Sequence, residues 1–484
     1  MQKATKTIKM QLPNYLLDIA EKVTQKGFQI FLVGGALRDT LINKPTSDYD
    51  LTTDALPEQI QKIFPESVDV GIEFGTVVIP VYNPKTKKYS NVEITTMRNE
   101  ASYKDFRHPE KINFIKSIEQ DLERRDFTIN ALAGNLANIT PDKTKNKFEY
   151  ITVTLPIIDL FDGLNDLKNK IIKAVNDPYQ RLLEDPVRAI RACRFSAQLE
   201  YTIEENTFKA IQKIAPYISK ISNERIHDEF LKLFKQADKP SIALRCLHKT
   251  KILDLILPEL TNTINVKQPI GHIHDVFEHS LHALDLAPKD PIIRLAVLFH
   301  DIGKPYTQMP DGHFYGHDLK GAEITRKILK RLKFSNQIID QVTTLVRWHM
   351  FHYIPGVWTD SAVRRFIKKV GINNLPALFE LRKADALSNP RQIDPTANLN
   401  AFKKHIKRIM SQDLALTTKD LNISGSDLIT QLNIKPGPFV GEILNYLLDQ
   451  VIEDPKLNKK ELLLDLAKKY KQQREKQRTK HNMI

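Results

Sequence analysis

The segment Leu32-Val33-Gly34-Gly35-Ala36-Leu37-Arg38-Asp39, followed by Asp48-Tyr49-Asp50, leaves little choice of local architecture. Residues 28–33 are a short apolar run ending in a glycine pair, and residues 36–42 have helical spacing, so the order is strand, turn, helix. Glycine permits close backbone approach, and the amides of a helix start present donors to a phosphate. Arg38 adds a cation for a charge-assisted contact. Asp48 and Asp50 stand two apart on an expected strand over 48–52, so their carboxylates share a face. Hard oxygen ligands converging there suit Mg2+, which is held by carboxylates together with substrate phosphates. Glu93, in a strand alternating over 91–96, offers a third carboxylate from a neighbouring strand, and residues 76–82 form another. Taken singly, Asp48 and Asp50 read as a solvated turn and Gly34-Gly35 as a plain strand-to-helix corner. In this order they place a triphosphate site beside a metal pair, which is what nucleotidyl transfer requires.

A chain of 484 residues exceeds what one core supports. Its periodicity changes along the way. The first third mixes strand and helix, with helical spacing over 16–26, whereas from about Asp177 the pattern is helical, punctuated by Pro178, Pro186, Pro216 and Pro240. The charged segment 98–116 lacks clean periodicity and carries His108-Pro109, so a mobile loop is expected there. These shifts predict an α/β head over 1–155, a helical neck and body over 156–250, a histidine-rich helical domain over 251–390 and a helical basic tail over 391–484.

Lys and Arg outnumber Asp and Glu by 72 to 58, a formal charge of +14, which favours a polyanionic partner. Residues 455–484 hold ten Lys/Arg against three Asp/Glu, and within them Lys468–Lys480 reads as either a solvated, partly ordered helix or a phosphate-contacting surface. The cysteines are Cys193 and Cys246, without a CxxC pair, which argues against a disulfide framework and a cysteine zinc site. No apolar run nears the roughly 20 residues that span a bilayer. The expectation is a cytoplasmic protein with no membrane and no implied protein partner.

Three motifs taken in order, GGALRD, SDYDLTT and Arg124-Arg125-Asp126-Phe127-Thr128-Ile129-Asn130-Ala131, resemble the bacterial class II tRNA nucleotidyltransferases of the DNA polymerase β-like superfamily. The likeness covers about residues 28–234. It implies an enzyme that builds the CCA end of tRNA from CTP and ATP without a nucleic-acid template, with Mg2+ at Asp48 and Asp50. Arg125, Arg191 and Arg194 match family positions that contact the nucleotide or its phosphates.

Glu184-Asp185-Pro186-Val187-Arg188 is expected to open a helix with acids at its start, placing Glu184, Arg188 and Arg191 on one stripe. The bland reading is a surface helix with ordinary ion pairs. The pairing edges of cytosine and adenine both show an amino donor beside a ring-nitrogen acceptor, while uracil and guanine show a carbonyl beside an N–H. One fixed carboxylate, Asp185, and one fixed donor, Arg188, therefore accept C and A and reject U and G; Glu184 would orient Arg188. This EDxxR pattern resembles the family's protein template. Relatives that add only CC lack a flexible-loop motif, whereas here Arg98-Asn99-Glu100 and Tyr103-Lys104-Asp105-Phe106-Arg107-His108-Pro109 look complete, which favours full CCA addition over A-only, CC-only or poly(A) products.

His279, His300-Asp301 and Asp385 form a second constellation, each of which alone reads as a structural residue. In this order, with Phe299-His300-Asp301-Ile302-Gly303-Lys304, they resemble the HD phosphohydrolase superfamily, whose His/His-Asp/Asp set binds a divalent metal. His317 and His349 offer ligands for a second ion. Mixed imidazole and carboxylate donors do not choose among Mg, Mn, Ni, Co or Fe. The resemblance implies a phosphatase or phosphodiesterase activity, suited to repairing a 2′,3′-cyclic RNA end. The rival reading is a hydrolase whose head merely binds RNA.

Overall fold

The structure is a computed structural model that describes residues 5–46, 49–71, 75–84, 87–103, 109–137, 139, 148–269, 273–389, 396–412 and 416–481. Asp48 and residues 104–108 of the expected loop lie outside the described residues. The chain forms two compact units, Met1–Pro258 and Glu259–Ile484.

The first unit is built on strands β1 (Thr5–Pro13), β2 (Ile30–Val33), β3 (Tyr49–Thr53), β4 (Val68–Gly71), β5 (Thr76–Asn83) and β6 (Lys88–Thr96). They are followed by β7 (Arg98–Tyr103), β8 (Pro109–Phe114), β9 (Leu132–Asn135) and β10 (Tyr150–Asp159). Eight of them make one sheet in the order β1-β10-β9-β2-β3-β6-β5-β4. The β3–β6 pair is parallel and its other pairings are antiparallel. Strand β2 is buried along its length, as its unbroken Ile-Phe-Leu-Val predicts. Phe31 and Val33 join Met97, Ile118, Leu122, Ala133 and Ile158 in one core cluster. β3 and β6 keep the period of two at the site itself: Tyr49, Leu51, Val92 and Ile94 are buried, while Glu93 between them is exposed.

The loop expected over 98–116 is corrected: β7 and β8 pair antiparallel from Arg98↔Phe114 to Tyr103↔Pro109. The two arms satisfy each other's backbone groups, and the charged sequence over 98–116 carries no hydrophobic alternation that would announce them.

Beyond β10 the unit is helical, apart from a two-residue pairing of Ile171–Ile172 with Thr202–Ile203. Here a second expectation is corrected. Glu184 does not open a helix; it ends the helix Pro178–Glu184, Asp185 caps it in an extended conformation, and a new helix runs Val187–Leu199 after Pro186. Proline disfavours a helical residue before it, so the chain breaks at Asp185 rather than continuing.

In the second unit the apolar helix Pro291–Phe299 is core, with Leu295 to Phe299 buried, and His300 caps its end. The helices Val276–Leu286, His317–Arg331 and Leu375–Leu387 carry His279, His317 and Asp385, and His349 caps the end of the helix Asn336–Trp348. Near the end of the chain, Lys460–His481 is a helix throughout, and Leu463 and Ala467 join the core built around Ile443, Leu447 and Ile452. Among the described residues, no helix is long and apolar enough to cross a membrane.

Candidate functional site

The head site is assembled where β2 ends. Val33 stands opposite Asp50 in the antiparallel β2–β3 register, and Asp50 stands beside Glu93 in the parallel β3–β6 register. Two carboxylates from adjacent strands thus share one face of the sheet. Gly34, the first residue of the helix Gly34–Leu41, has φ +66°. A Cβ there would lie 3.2 Å from Asp50 Oδ2 and 3.4 Å from Arg125 Nη1, so a side chain would crowd both groups. Bare backbone at Gly34 thus lies close to both the Asp50 carboxylate and the Arg125 guanidinium.

Arg38 is buried and engaged: Nη1 donates to Asn130 Oδ1 at 2.7 Å, Nε donates to Asp39 Oδ1 at 2.8 Å, and the guanidinium lies 5.0 Å from the Phe195 ring centre. Its place is under the glycine turn, Nη2 being 3.5 Å from a Cβ built on Gly35. The segment 124–131 then links this turn to the helix Val187–Leu199. Asp126 Oδ1 accepts from Phe127 N at 2.9 Å and from Asn130 Nδ2 at 3.2 Å, while Oδ2 pairs with Arg191 at 2.7 Å. Burial opposes the charge on Asp126, but Arg191 and Arg188 outweigh it and hold the carboxyl below its usual range. Phe195 lies under three guanidiniums, with Arg194 at 4.1 Å, Arg38 at 5.0 Å and Arg191 at 5.7 Å.

The base-reading candidates sit at the break between two helices. Glu184 Oε2 accepts from Arg181 Nη1 at 2.8 Å and from Arg188 Nη1 at 2.6 Å, so the corrected helix boundary leaves the Glu184–Arg188 pair intact. Asp185 Oδ2 accepts from Arg225 Nη2 at 2.6 Å. Arg194 is buried, with Nε donating to Glu229 Oε2 at 2.6 Å. Sequence reasoning missed Arg225, Glu229 and Asp121. The first two lie on the helix Asn223–Gln236, 40 and 35 positions from their partners, and leave no local signal. Asp121, fully buried, accepts from Arg124 at 2.7 Å and from Arg125 at 3.0 Å. Its i, i+3 and i, i+4 spacing to these arginines was readable.

The second unit gathers all six of its predicted residues. His279, His300 and Asp385 form one group and Asp301, His317 and His349 another, the ligand atoms of each lying within 4.8 Å of one another. Asp301 faces both, with Oδ2 at 3.2 Å from His300 Nε2 and Oδ1 at 3.4 Å from His317 Nε2. His300, His317 and His349 share one device: each Nδ1 meets the carbonyl three residues earlier, at Val297 (2.7 Å), Phe314 (2.6 Å) and Val346 (2.7 Å). This directs the Nδ1–H into backbone and turns each Nε2 inward, where it is buried without a hydrogen-bond partner. Gly303 makes the approach possible, since a Cβ there would stand 2.2 Å from His317 O.

Burial alone would lower the pKa of His300, yet the carboxylates of Asp301 and Asp385 push it up to about 10. Burial, with His300 and His317 adding repulsion, pushes His349 down to about 3. Burial also opposes the charge on Asp301, but His300 and Lys304 hold it well below the usual carboxylate range. The carboxylates of Asp301 and Asp385 thus favour positive charge at this place. Three imidazole nitrogens without hydrogen-bond partners, the buried Asp301 and the half-buried Asp385 fit divalent cations at the same place. The residues line a cavity of about 510 Å3 with Lys304, Arg382 and an aromatic rim.

Comparison with known proteins follows this layout. Residues 30–173 match the family model of the poly A polymerase head domain, residues 200–264 the probable RNA and SrmB-binding site of polymerase A, and residues 317–467 a putative domain 2 of tRNA nucleotidyltransferases. The chain is similar to the CCA-adding enzyme of Ligilactobacillus salivarius, 33% identical over 454 residues, covering 94% of this chain and 95% of that one. It is also similar to the CCA-adding enzyme of Enterococcus faecalis, 32% identical, covering 96% and 98%. The solved Bacillus stearothermophilus CCA-adding enzyme in complex with CTP superposes with a TM-score of 0.67 at 25% identity, over 96% of this chain and 100% of that one. With its α/β head, helical body and relatives matched nearly end to end, the chain belongs to the CCA-adding enzyme family.

Proposed function

We propose that this chain extends tRNA 3′ ends with C, C and A, taking CTP and ATP and using protein side chains in place of a template. The observation that carries this reading is the close approach of Gly34 to Asp50 and Arg125, with Glu93 beside Asp50 across the sheet. Asp48 and Asp50 would hold Mg2+, with Glu93 as third carboxylate; the metal ions would activate the RNA 3′-hydroxyl and stabilise charge on the phosphates. Gly34 and Gly35 leave room for the triphosphate, and Arg125 faces it. Arg38 and Arg191 tie the turn to the base-reading helix through Asn130 and Asp126. Asp185, held by Arg225, and Arg188, held by Glu184, present an acceptor and a donor to the pairing edge of C or A. Arg194 keeps Phe195 and Glu229 in place behind them. A wrong base leaves buried polar groups unpaired, a penalty that can reach about 10⁴-fold in selectivity. Incubating tRNA lacking its last one, two or three nucleotides with each NTP singly and mixed tests the reading. Stepwise growth that stops after A supports it; unending A tracts would indicate poly(A) synthesis, and no growth would leave a head that only binds RNA.

A second activity is supported by the three orphaned Nε2 atoms. In this reading His279, His300, Asp301, His317, His349 and Asp385 hold divalent metal and the pocket hydrolyses phosphate esters, including 2′,3′-cyclic RNA ends. The metal would supply an activated water and neutralise phosphate charge. The full chain should release phosphate or open nucleoside 2′,3′-cyclic phosphates with Mn2+, Ni2+, Co2+ or Mg2+. Absence of turnover with all of them would rule this activity out.

A further inference from the structure

The pocket of the second unit has a rim that metal ligation does not use. His313 and Tyr315 lie with their rings within 7° of parallel and their centres 5.5 Å apart. Tyr315 is 68% exposed, among the most exposed large apolar side chains of the described residues, although it stands two positions before the buried His317. The turn that carries the pair is pinned: Met309 N donates to His313 O at 2.8 Å, His313 N donates to Asp311 Oδ1 at 2.9 Å, and Gly316 takes φ +76° just before the helix His317–Arg331. Met350, which lines the same cavity, is 59% exposed and directly follows His349. Flat and apolar surface is therefore held in water beside a cluster whose ligand atoms fit a divalent cation, with Lys304 and Arg382 among the lining residues. A ligand matched to this pocket has an anionic group for the metal-binding floor and a flat ring for the rim. Its volume of about 510 Å3 falls within the range of small-molecule sites, roughly 300–1,000 Å3.

We propose that His313 and Tyr315 form a nucleobase-stacking platform, so that the pocket selects phosphate esters carrying a base, as a free nucleotide or as an RNA 3′ end. This rests on the hydrolase reading of the same pocket. Every base offers a π-face, so the platform discriminates base-bearing from base-free esters rather than one base from another.

The test compares the full-length chain with Y315A and Y315F in the presence of Mn2+. Substrates are adenosine 2′,3′-cyclic phosphate, a short oligoribonucleotide ending in a 2′,3′-cyclic phosphate, and base-free glycerol 1,2-cyclic phosphate. The ratio of kcat/KM for the base-bearing over the base-free ester should fall about tenfold in Y315A, the size of one stacking contact, and should be retained in Y315F. A lower KM for the oligonucleotide assigns the platform to RNA ends, and a lower KM for adenosine 2′,3′-cyclic phosphate assigns it to free nucleotides. An unchanged ratio in Y315A overturns the proposal. Binding is followed separately by the fluorescence of 2-aminopurine riboside monophosphate, whose quenching by wild type should be weaker with Y315A. If no ester is hydrolysed but the quench depends on Tyr315, the hydrolase reading falls and the platform stands. If both proteins quench equally, the platform is wrong whatever the turnover.

Discussion

Arg225 and Asp126 are each bound to a candidate site residue rather than being candidates themselves: Arg225 to Asp185 and Asp126 to Arg191. Asp185 owes its orientation to Arg225 through a contact of 2.6 Å. Charge-assisted hydrogen bonds contribute about 1.5–3 kcal/mol. Arg225→Ala should therefore raise misincorporation of UTP and GTP by about tenfold or more relative to CTP and ATP, measured by single-nucleotide extension, while Arg225→Lys restores part of the selectivity. An unchanged profile would detach Asp185 from base choice. Asp126 gives a pH prediction. Its folded carboxyl lies below the unfolded value of about 3.9, because Arg191 and Arg188 outweigh the opposing effect of burial. Its contribution to stability is then fully present above about pH 4 and is lost as pH falls through the lowered value. Urea unfolding of wild type and Asp126→Asn should differ most near neutrality and converge in acid. A gap that widens in acid would contradict the ion pair. Neither residue's role was legible beforehand: Arg225 is remote in sequence from its partner, and Asp126 sat unassigned inside a motif read for its arginines.

Elements were legible where burial imposed a period. Strands β2, β3 and β6 were expected near their observed bounds because each must hide one or both faces, and that same alternation set Glu93 beside Asp50. The β7–β8 hairpin was not, since its charged sequence shows no apolar alternation and the pairing is set by backbone register. The acids at 184 and 185 were taken for a helix start because composition there resembles one; proline at 186 decided otherwise. Gly303 carries an element-scale prediction. Alanine would place its Cβ 2.2 Å from His317 O and 2.7 Å from Gly321 N, both backbone atoms that cannot rotate away. Such overpacking costs about 1–3 kcal/mol or more. Gly303→Ala should lower the Tm and weaken Mn2+ binding, measured calorimetrically, by about tenfold or more. Wild-type affinity in that variant would mean that the approach of the helix His317–Arg331 does not set the cluster.

At the scale of the whole chain, two units each bring together buried charge, orphaned donors or close backbone around one cluster of chemistry. In the first, a glycine turn, two strands and a helix break bring Gly34, Asp50, Arg125, Asp185 and Arg188 into one unit, and family membership follows from both its layout and its relatives. In the second, six residues scattered over more than a hundred positions of sequence converge on one cavity. The measurement that bears most directly on the account is extension of tRNA ending before CCA by the wild type and by Asp50→Ala, with CTP and ATP together and apart. Wild type should add two C residues with CTP alone and finish with one A when ATP is present. Asp50→Ala should lose incorporation by about 10³-fold or more while keeping its melting temperature within a few degrees. Full incorporation by Asp50→Ala, or growth that does not stop after A, would contradict the site assigned here.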